Sequence, residues 1–301
     1  MIQELKLNTV NNTLPKINKK SPPRSINPDL TPCFFSACFV GAKNSGKSYG
    51  LCTFIKNYQD NPIKDHEGNS LQTRVILFAP TANSDANPVY KTLKNLDEDD
   101  IILQYSDDIL LDKLESIKQD KEEIEDYKQY LKVWKKFMRI DENVNLLLPD
   151  ELLILSKYDF REPQSIPKPK YNHPPVVFMI LDDLIGNNDV FKRNNSLIGN
   201  ITIRHRHLGI NLIFTTQNPK SIPNIVRNNI DIWFLYKFAN IKMVLEKIYE
   251  EVSNIITEDE FEELYKHATL EPYNALVIDT HPQTDKDKRL RKNFNTVLII
   301  T

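Results

Sequence analysis

Residues Gly41-Ala-Lys-Asn-Ser-Gly-Lys-Ser48 follow directly on the apolar run Cys33-Phe-Phe-Ser-Ala-Cys-Phe-Val40 and lead into a helix-compatible stretch. A strand feeding a Gly-x-x-x-x-Gly-Lys-Ser turn that opens a helix is the context in which this short motif forms a phosphate cradle. Gly41 and Gly46 let the backbone fold round an anion. The N–H groups through Ala42, Lys43, Asn44 and Ser45 then point inward, and the helix starting near Lys47 adds the positive end of its dipole. Lys47 is placed to contact the β- and γ-phosphates of a nucleoside triphosphate. The Ser48 hydroxyl is placed to complete the shell of a Mg2+ ion held otherwise by water and phosphate oxygens. Lys43 reads as a solvated loop lysine.

Bulk properties narrow the setting less. At 301 residues the chain suits one large α/β domain, or one domain with a small appendage. A net charge of −2 and a pI near 6.3 exclude a globally basic nucleic-acid coat, so a DNA contact has to come from a local patch. Cys33, Cys38 and Cys52 contain no Cys-x-x-Cys pair and read as reduced core residues of an intracellular protein. No apolar run approaches the roughly 18 residues of a membrane span, and the amino terminus lacks a signal-peptide core, which predicts a soluble protein.

Along the chain, residues Met1 to Leu30 are polar and aperiodic and are expected to form a flexible arm, leaving 31–301 as a single domain. Thr73 to Ala79 reads as a buried strand ending at Pro80. A turn through Ser84, a short helix around Val89 to Leu96 and a short strand within Asp100 to Tyr105 follow. From Asp107 to about Ile140 the spacing of Leu110, Leu114, Ile117, Ile124, Tyr127, Leu131, Trp134 and Met138 predicts an amphipathic helix some 50 Å long. It reads as the start of an insertion over residues 107–170. Its apolar face needs cover, by default from its own domain, otherwise from a second helix or another subunit. A proline-rich linker, Arg161 to Pro175, closes the insertion.

That linker delivers the chain into Val176-Val-Phe-Met-Ile-Leu-Asp182-Asp183, the pattern of a central parallel strand ending in two acids. Asp182 is the candidate to hold Mg2+ through water, and Asp183 the candidate to orient and deprotonate an attacking water. Asp183-Leu-Ile-Gly186 also matches a GTPase switch, and Ser156 to Asp159 resembles a guanine-reading motif. The order along the chain is the reverse of the GTPase order, so Ser156 to Asp159 is read as a strand-end turn. Further on come Arg204-His-Arg-His207, the strand Ile210 to Gln217, Arg227-Asn-Asn-Ile-Asp231 and the strand Ile232 to Tyr236. Gln217 ends the strand after the acidic one, where its amide can sense a γ-phosphate. Asn240 to Val252 and Glu258 to His267 read as helices, the second opened by a Thr257/Glu260 capping box. Asn274 to Ile278 and Thr296 to Ile300 read as hairpin-like or edge strands. Local basic groups that a DNA strand could meet are Lys192 and Arg193, the Arg204 to His207 cluster, and the run from Lys286 to Lys292.

The combination of Gly41 to Ser48, Ile180 to Asp183, Arg206-His207-Leu-Gly-Ile210, Gln217 and Arg227 to Asp231 resembles the FtsK/HerA superfamily of P-loop ATPases. It is most similar to the poxvirus-type genome-packaging ATPases of large nucleocytoplasmic DNA viruses, over residues 31–240. The resemblance implies a RecA-like α/β fold with a mostly parallel central sheet between helices. It further implies an Mg2+-dependent ATPase that forms a homo-oligomeric ring, threads double-stranded DNA and loads it into a preformed capsid. The expected partner is a capsid or inner-membrane viral protein, and the expected place is the host cytoplasm or the virion. It also implies an arginine finger offered to a neighbouring subunit, for which Arg206 and Arg227 are the candidates. An ATP-switched assembly module, or a helicase or conjugation-type DNA pump of a mobile element, would share these motifs.

Overall fold

The computed structural model describes residues 21–80, 88–184, 196–218, 222–238, 242 and 245–300. The main strands are β2 (Ser36–Val40), β5 (Thr73–Phe78), β6 (Ile101–Ile102), β7 (Val176–Leu181), β8 (Ile210–Thr216), β9 (Ile232–Tyr236), β10 (Ala275–Asp279), β11 (Leu290–Lys292) and β12 (Thr296–Val297). They form one nine-stranded sheet in the order β12-β11-β10-β9-β2-β8-β7-β5-β6. The six strands from β9 to β6 run parallel, and β10 to β12 extend the other edge antiparallel. β2, β5, β7, β8 and β9 are buried at every position, as near-continuous apolar runs are when helices cover both faces of a sheet. This is the RecA-like α/β architecture that the motifs imply.

Two cores flank the sheet because side chains alternate along each strand. Ala37 and Phe39 pack with Leu51, Phe54 and Tyr58 of α1 (Lys47–Asp60), whereas Cys38 and Val40 face the layer built by α4 (Leu197–Leu208) and α6 (Glu258–Ala268). Phe39 stacks on Phe234 with ring centroids 4.0 Å apart, fixing β2 against β9 at the strand that feeds the loop. The three cysteines are buried free thiols. Burial pushes the Cys52 thiol up to about 12, which leaves it inert at neutral pH.

The insertion is led by α2 (Asp107–Arg139), a 33-residue helix capped by Ser106, with Asp107 and Asp108 in its first turn and Lys136 and Arg139 in its last. The apolar stripe expected from the sequence holds for the first half, where Leu110 and Ile117 join the main core. In the second half it holds only in part: Tyr127 and Trp134 are partly buried against a separate cluster. There Tyr130, Val133 and Phe137 pack with Leu147, Leu155 and Ile166 around α3 (Pro149–Ser156), while Leu131 and Met138 are exposed. At about 100° per residue, Tyr130, Val133 and Phe137 lie nearly opposite Leu110 on the helix. α2 therefore uses one side for the sheet and the other for α3. Arg74 of β5 ties it down with bonds of 2.8 Å to Asp120 and 3.0 Å to Ser116, and holds Asp100, which precedes β6, with bonds of 2.8 and 2.9 Å.

Other expectations are adjusted by packing. Residues 21–30, assigned to the flexible arm, are held. Arg24–Ser25 (β1) pairs with Ile63–Lys64 (β3), which pairs with Ser70–Leu71 (β4), and Asp29 accepts from Lys288 and Arg291. Residues 1–20 lie outside the described residues, as does most of the Pro80 to Ser84 turn. The helix predicted over Val89 to Leu96 is a 3-10 turn, Pro88–Thr92, and Ser156 to Asp159 closes α3 instead of a strand. Within Asn240 to Val252, Leu245–Tyr249 and Glu250–Val252 are helical, and most of the rest lies outside the described residues. The Thr257/Glu260 capping box forms. Among the described residues no helix is long and apolar enough to cross a membrane.

Candidate nucleotide and metal site

The functional groups collect at the carboxyl ends of three neighbouring strands. β8 lies between β2, which feeds the phosphate loop, and β7, which ends in the acids. Gln217, just past β8, is thereby interposed between Lys47 and Asp183.

Gly46 adopts φ 95° and Asn44 φ 60°, so the loop turns through left-handed geometry before α1 begins at Lys47. No side chain caps α1 and no acid stands in its first turn, which leaves its amide end bare for an anion. Lys47 is buried, and its Nζ donates to the carbonyls of Gly41 and Ala42 at 2.9 and 3.0 Å. Burial pushes its pKa down, opposed by Asp183 and Asp182. A buried ammonium resting on loop carbonyls is a cation awaiting a stronger partner, and a polyphosphate is one. Lys43 is exposed, as expected.

Asp182 is buried and fully engaged. One carboxylate oxygen accepts from Thr215 at 2.5 Å and the other from Tyr90 at 2.6 Å. Burial pushes this carboxyl above the usual range, with the Thr215 and Tyr90 bonds pulling it back. The Ser48 hydroxyl lies near enough to the same phenol to favour its ionised form, so Tyr90 stands between the two candidate metal-shell residues while bonding to Asp182 alone. One hydroxyl and one carboxylate fit a cation that keeps waters and takes phosphate oxygens as its other ligands. Among the described residues no cluster of three or more His, Cys, Asp or Glu exists that would hold a metal without a nucleotide.

Asp183 sits at φ 52°, its N–H donating to Thr215 Oγ1 at 2.9 Å, which turns its carboxylate out of the strand line. The Gln217 amide donates to that carboxylate at 2.7 Å. Thr215 thus organises both acids, one through its hydroxyl proton and the other through its oxygen. The arginines lie elsewhere. Arg206 ends α4 and pairs with Asp231 at the start of β9, beside Ser36 at the start of β2. That is the amino-terminal end of the strands, opposite Gly41 and about 16 Å away at the rise of a strand. Arg206 is half exposed. Arg227, in α5 (Asn224–Arg227), is buried, donates to Asn224 at 2.6 Å and pairs with Glu251 at 3.2 Å. In the basic carboxyl-terminal run, Lys288, Arg291 and Lys292 bond to Asp29, Asp279 and Glu271. Lys192 and Arg193 lie outside the described residues.

Sequence reasoning missed Tyr90, Thr215, Tyr236 and Gly50. Thr215 and Thr216, paired hydroxyls ending an apolar strand, were a visible signal. Gly50 was another, because a glycine inside a helix marks a close approach. A Cβ there would stand 1.8 Å from Tyr236 Oη, and one on Gly41 would stand 2.6 Å from Tyr236 Cβ, so this buried ring is wedged against both loop and helix. Tyr90 carried no local signal.

No protein family matches the chain by sequence model, and no curated protein matches it. Among solved structures it is similar to the genome packaging NTPase B204 from Sulfolobus turreted icosahedral virus 2 in complex with ATP-gammaS. The identity is 16%, the TM-score 0.45, and 91% of this chain and 100% of that one are covered. It is also similar to the cytoplasmic domain of the Thermomonospora curvata Type VII secretion ATPase EccC, at 16% identity and TM-score 0.39 over 82% of this chain and 24% of that one. A third is EssC (ATPases 2 and 3) from Geobacillus thermodenitrificans, at 18% identity and TM-score 0.39 over 86% and 39%. At these scores the likeness supports no assignment of activity.

Proposed function

We propose that the chain is an Mg2+-dependent ATPase of the FtsK/HerA type that works as a homo-oligomeric ring, moving double-stranded viral DNA into a preformed capsid. The observation that carries the hydrolytic part is the line of groups across three adjacent strands: Lys47 and Ser48, then Gln217 bonded to Asp183, then Asp182. The bare amide end of α1 and Lys47 bind the phosphates. Ser48 and Asp182 hold the magnesium, which when bound neutralises phosphate charge. Asp183 orients the attacking water and takes its proton, and Gln217 reports the γ-phosphate through the bond the two already share. The DNA and capsid parts of the reading rest on the motif resemblance alone.

A finger acting in trans has to be reachable on a surface away from its own phosphate loop. Arg206 meets that condition and buried Arg227 does not, so Arg206 is the proposed finger. The test is steady-state hydrolysis of Mg-ATP with and without duplex DNA. Lys47→Ala and Asp183→Asn should each abolish turnover with the fold intact by circular dichroism. Mixing Arg206→Ala with Asp183→Asn subunits should restore part of it. An unsubstituted chain that assembles, yet turns over no ATP with or without DNA, would sink the proposal.

A further inference from the structure

Beside the phosphate loop a cavity of about 590 Å3 opens along the α1 stripe that carries Tyr49, Thr53 and Asn57. Its remaining walls come from Gly46, Tyr273, Asn295 and their neighbours. The volume falls within the range of pockets that enclose a small organic ligand. Three observations say what kind of ligand.

The first is the rings. Tyr49 and Tyr273 are 72% and 71% exposed, two large aromatic side chains left bare at the mouth of the phosphate loop. The second is strain. Tyr273 is held at φ 66°, disfavoured for any residue but glycine, and this presses it onto Gly46, where a Cβ would meet Tyr273 Cβ at 3.3 Å. The third is charge. Among the described residues no lysine, arginine or histidine lines the cavity; its polar complement is mainly asparagine amides with Asp29, whose carboxylate is paired with Lys288, whereas the adjoining loop has its charge in Lys47. Such a division suits a ligand with an anionic end and a neutral, planar end that stacks on aromatic faces and offers donors and acceptors at its edge.

We propose that this cavity is the nucleoside subsite, in which Tyr49 and Tyr273 stack a purine base whose edge is met by the surrounding asparagine amides. The proposal rests on the reading of the loop as a triphosphate site. Tyr49 follows Ser48 directly, so a nucleotide whose phosphates lie on the loop enters this cavity without crossing open solvent. A purine is favoured over a pyrimidine because its larger face covers more of both rings.

The experiment is calorimetric titration of the full chain, in Mg2+, with non-hydrolysable analogues of ATP, GTP, CTP and UTP and with inorganic tripolyphosphate. The purine nucleotides should bind at least about tenfold more tightly than the pyrimidine nucleotides and tripolyphosphate. Tyr49→Ala and Tyr273→Ala should each weaken the ATP analogue by about 5- to 150-fold, the usual worth of one base–aromatic stack, and leave tripolyphosphate unchanged. Unchanged tripolyphosphate binding also certifies that these variants fold. Tyr49→Phe and Tyr273→Phe, which keep the ring, should recover affinity to within about threefold. Alanine variants that bind the ATP analogue as the unsubstituted chain does overturn the proposal, as do variants that lose it and tripolyphosphate together. If Lys47→Ala abolishes binding but all four nucleotides and tripolyphosphate bind the unsubstituted chain alike, only the subsite fails. If the unsubstituted chain binds none of them, the triphosphate reading fails first.

Discussion

Gly50→Ala is the most direct test of how the tertiary structure holds the phosphate loop. The added Cβ falls 1.8 Å from Tyr236 Oη and 3.0 Å from its Cζ. Tyr236 is 3% exposed, and its Cβ is backed against Gly41, so the ring is pinned at both ends. Overpacking costs about 1–3 kcal/mol, and an approach of 1.8 Å falls in the upper half of that range, about 2–3 kcal/mol; alanine returns about 0.5–1 kcal/mol as the better helix former, a net loss of about 1–2.5 kcal/mol. For a chain of this size that lowers Tm by about 1–5 °C. Relief by displacement of the first turn of α1 should also weaken Mg-ATP binding. Adding Tyr236→Phe removes the atom in collision and leaves Cζ at 3.0 Å, so the double variant should recover at least half of the lost Tm. Thermal unfolding by circular dichroism, with titration of a fluorescent ATP analogue, reads both effects. A Gly50→Ala protein as stable as the parent, or a double variant with no recovery, refutes the wedge.

Two further outcomes are expected. Tyr90→Phe deletes a 2.6 Å bond to a buried carboxylate and should cost the nucleotide-free protein about 1.5–3 kcal/mol, less once Mg-nucleotide supplies other partners; equal Tm values without nucleotide would count against the Tyr90–Asp182 bond. Burial pushes the Asp100 carboxyl up, but bonds from Arg74 and Lys113 outweigh it and hold it below the usual range. A depressed carboxyl stabilises fully above the ordinary pKa of about 4 and loses that contribution as pH falls through the lower folded value. The Tm gap between the parent and Asp100→Asn should therefore be widest near neutral pH and narrow in acid; a gap constant from about pH 3 to 7 would show that Asp100 does not titrate with folding.

The parts legible in the sequence were those whose physics is local. Glycine spacing before Lys47-Ser48 prescribes a left-handed turn into an uncapped helix, and the structure has it. Apolar runs at Val176 and Ile210 prescribe strands buried on both faces, and their last residues fix where Asp182, Asp183 and Gln217 emerge. Thr257 marks a helix start because a cap bonds within its own turn. The second half of α2 was legible only in part, at Tyr127 and Trp134, because a single helix can change the face it buries when its partner changes, and periodicity does not name the partner.

By itself, then, the sequence determined the Gly41 to Ser48 turn, the acidic strand, the place of Gln217 at a strand end and the extents of α2 and α6, since each is written in residues a turn or a strand apart. Only the tertiary structure decided that β8 lies between β2 and β7, which brings Gln217 onto Asp183. It alone decided that Tyr90 bonds Asp182 beside Ser48, that Tyr236 wedges Gly41 against Gly50, that Arg206 pairs with Asp231 at the amino ends of the strands, and that Arg227 is buried against Glu251. These contacts join segments tens of residues apart or more. Their free energy is gained when the chain closes on itself, so no local pattern of residues encodes them.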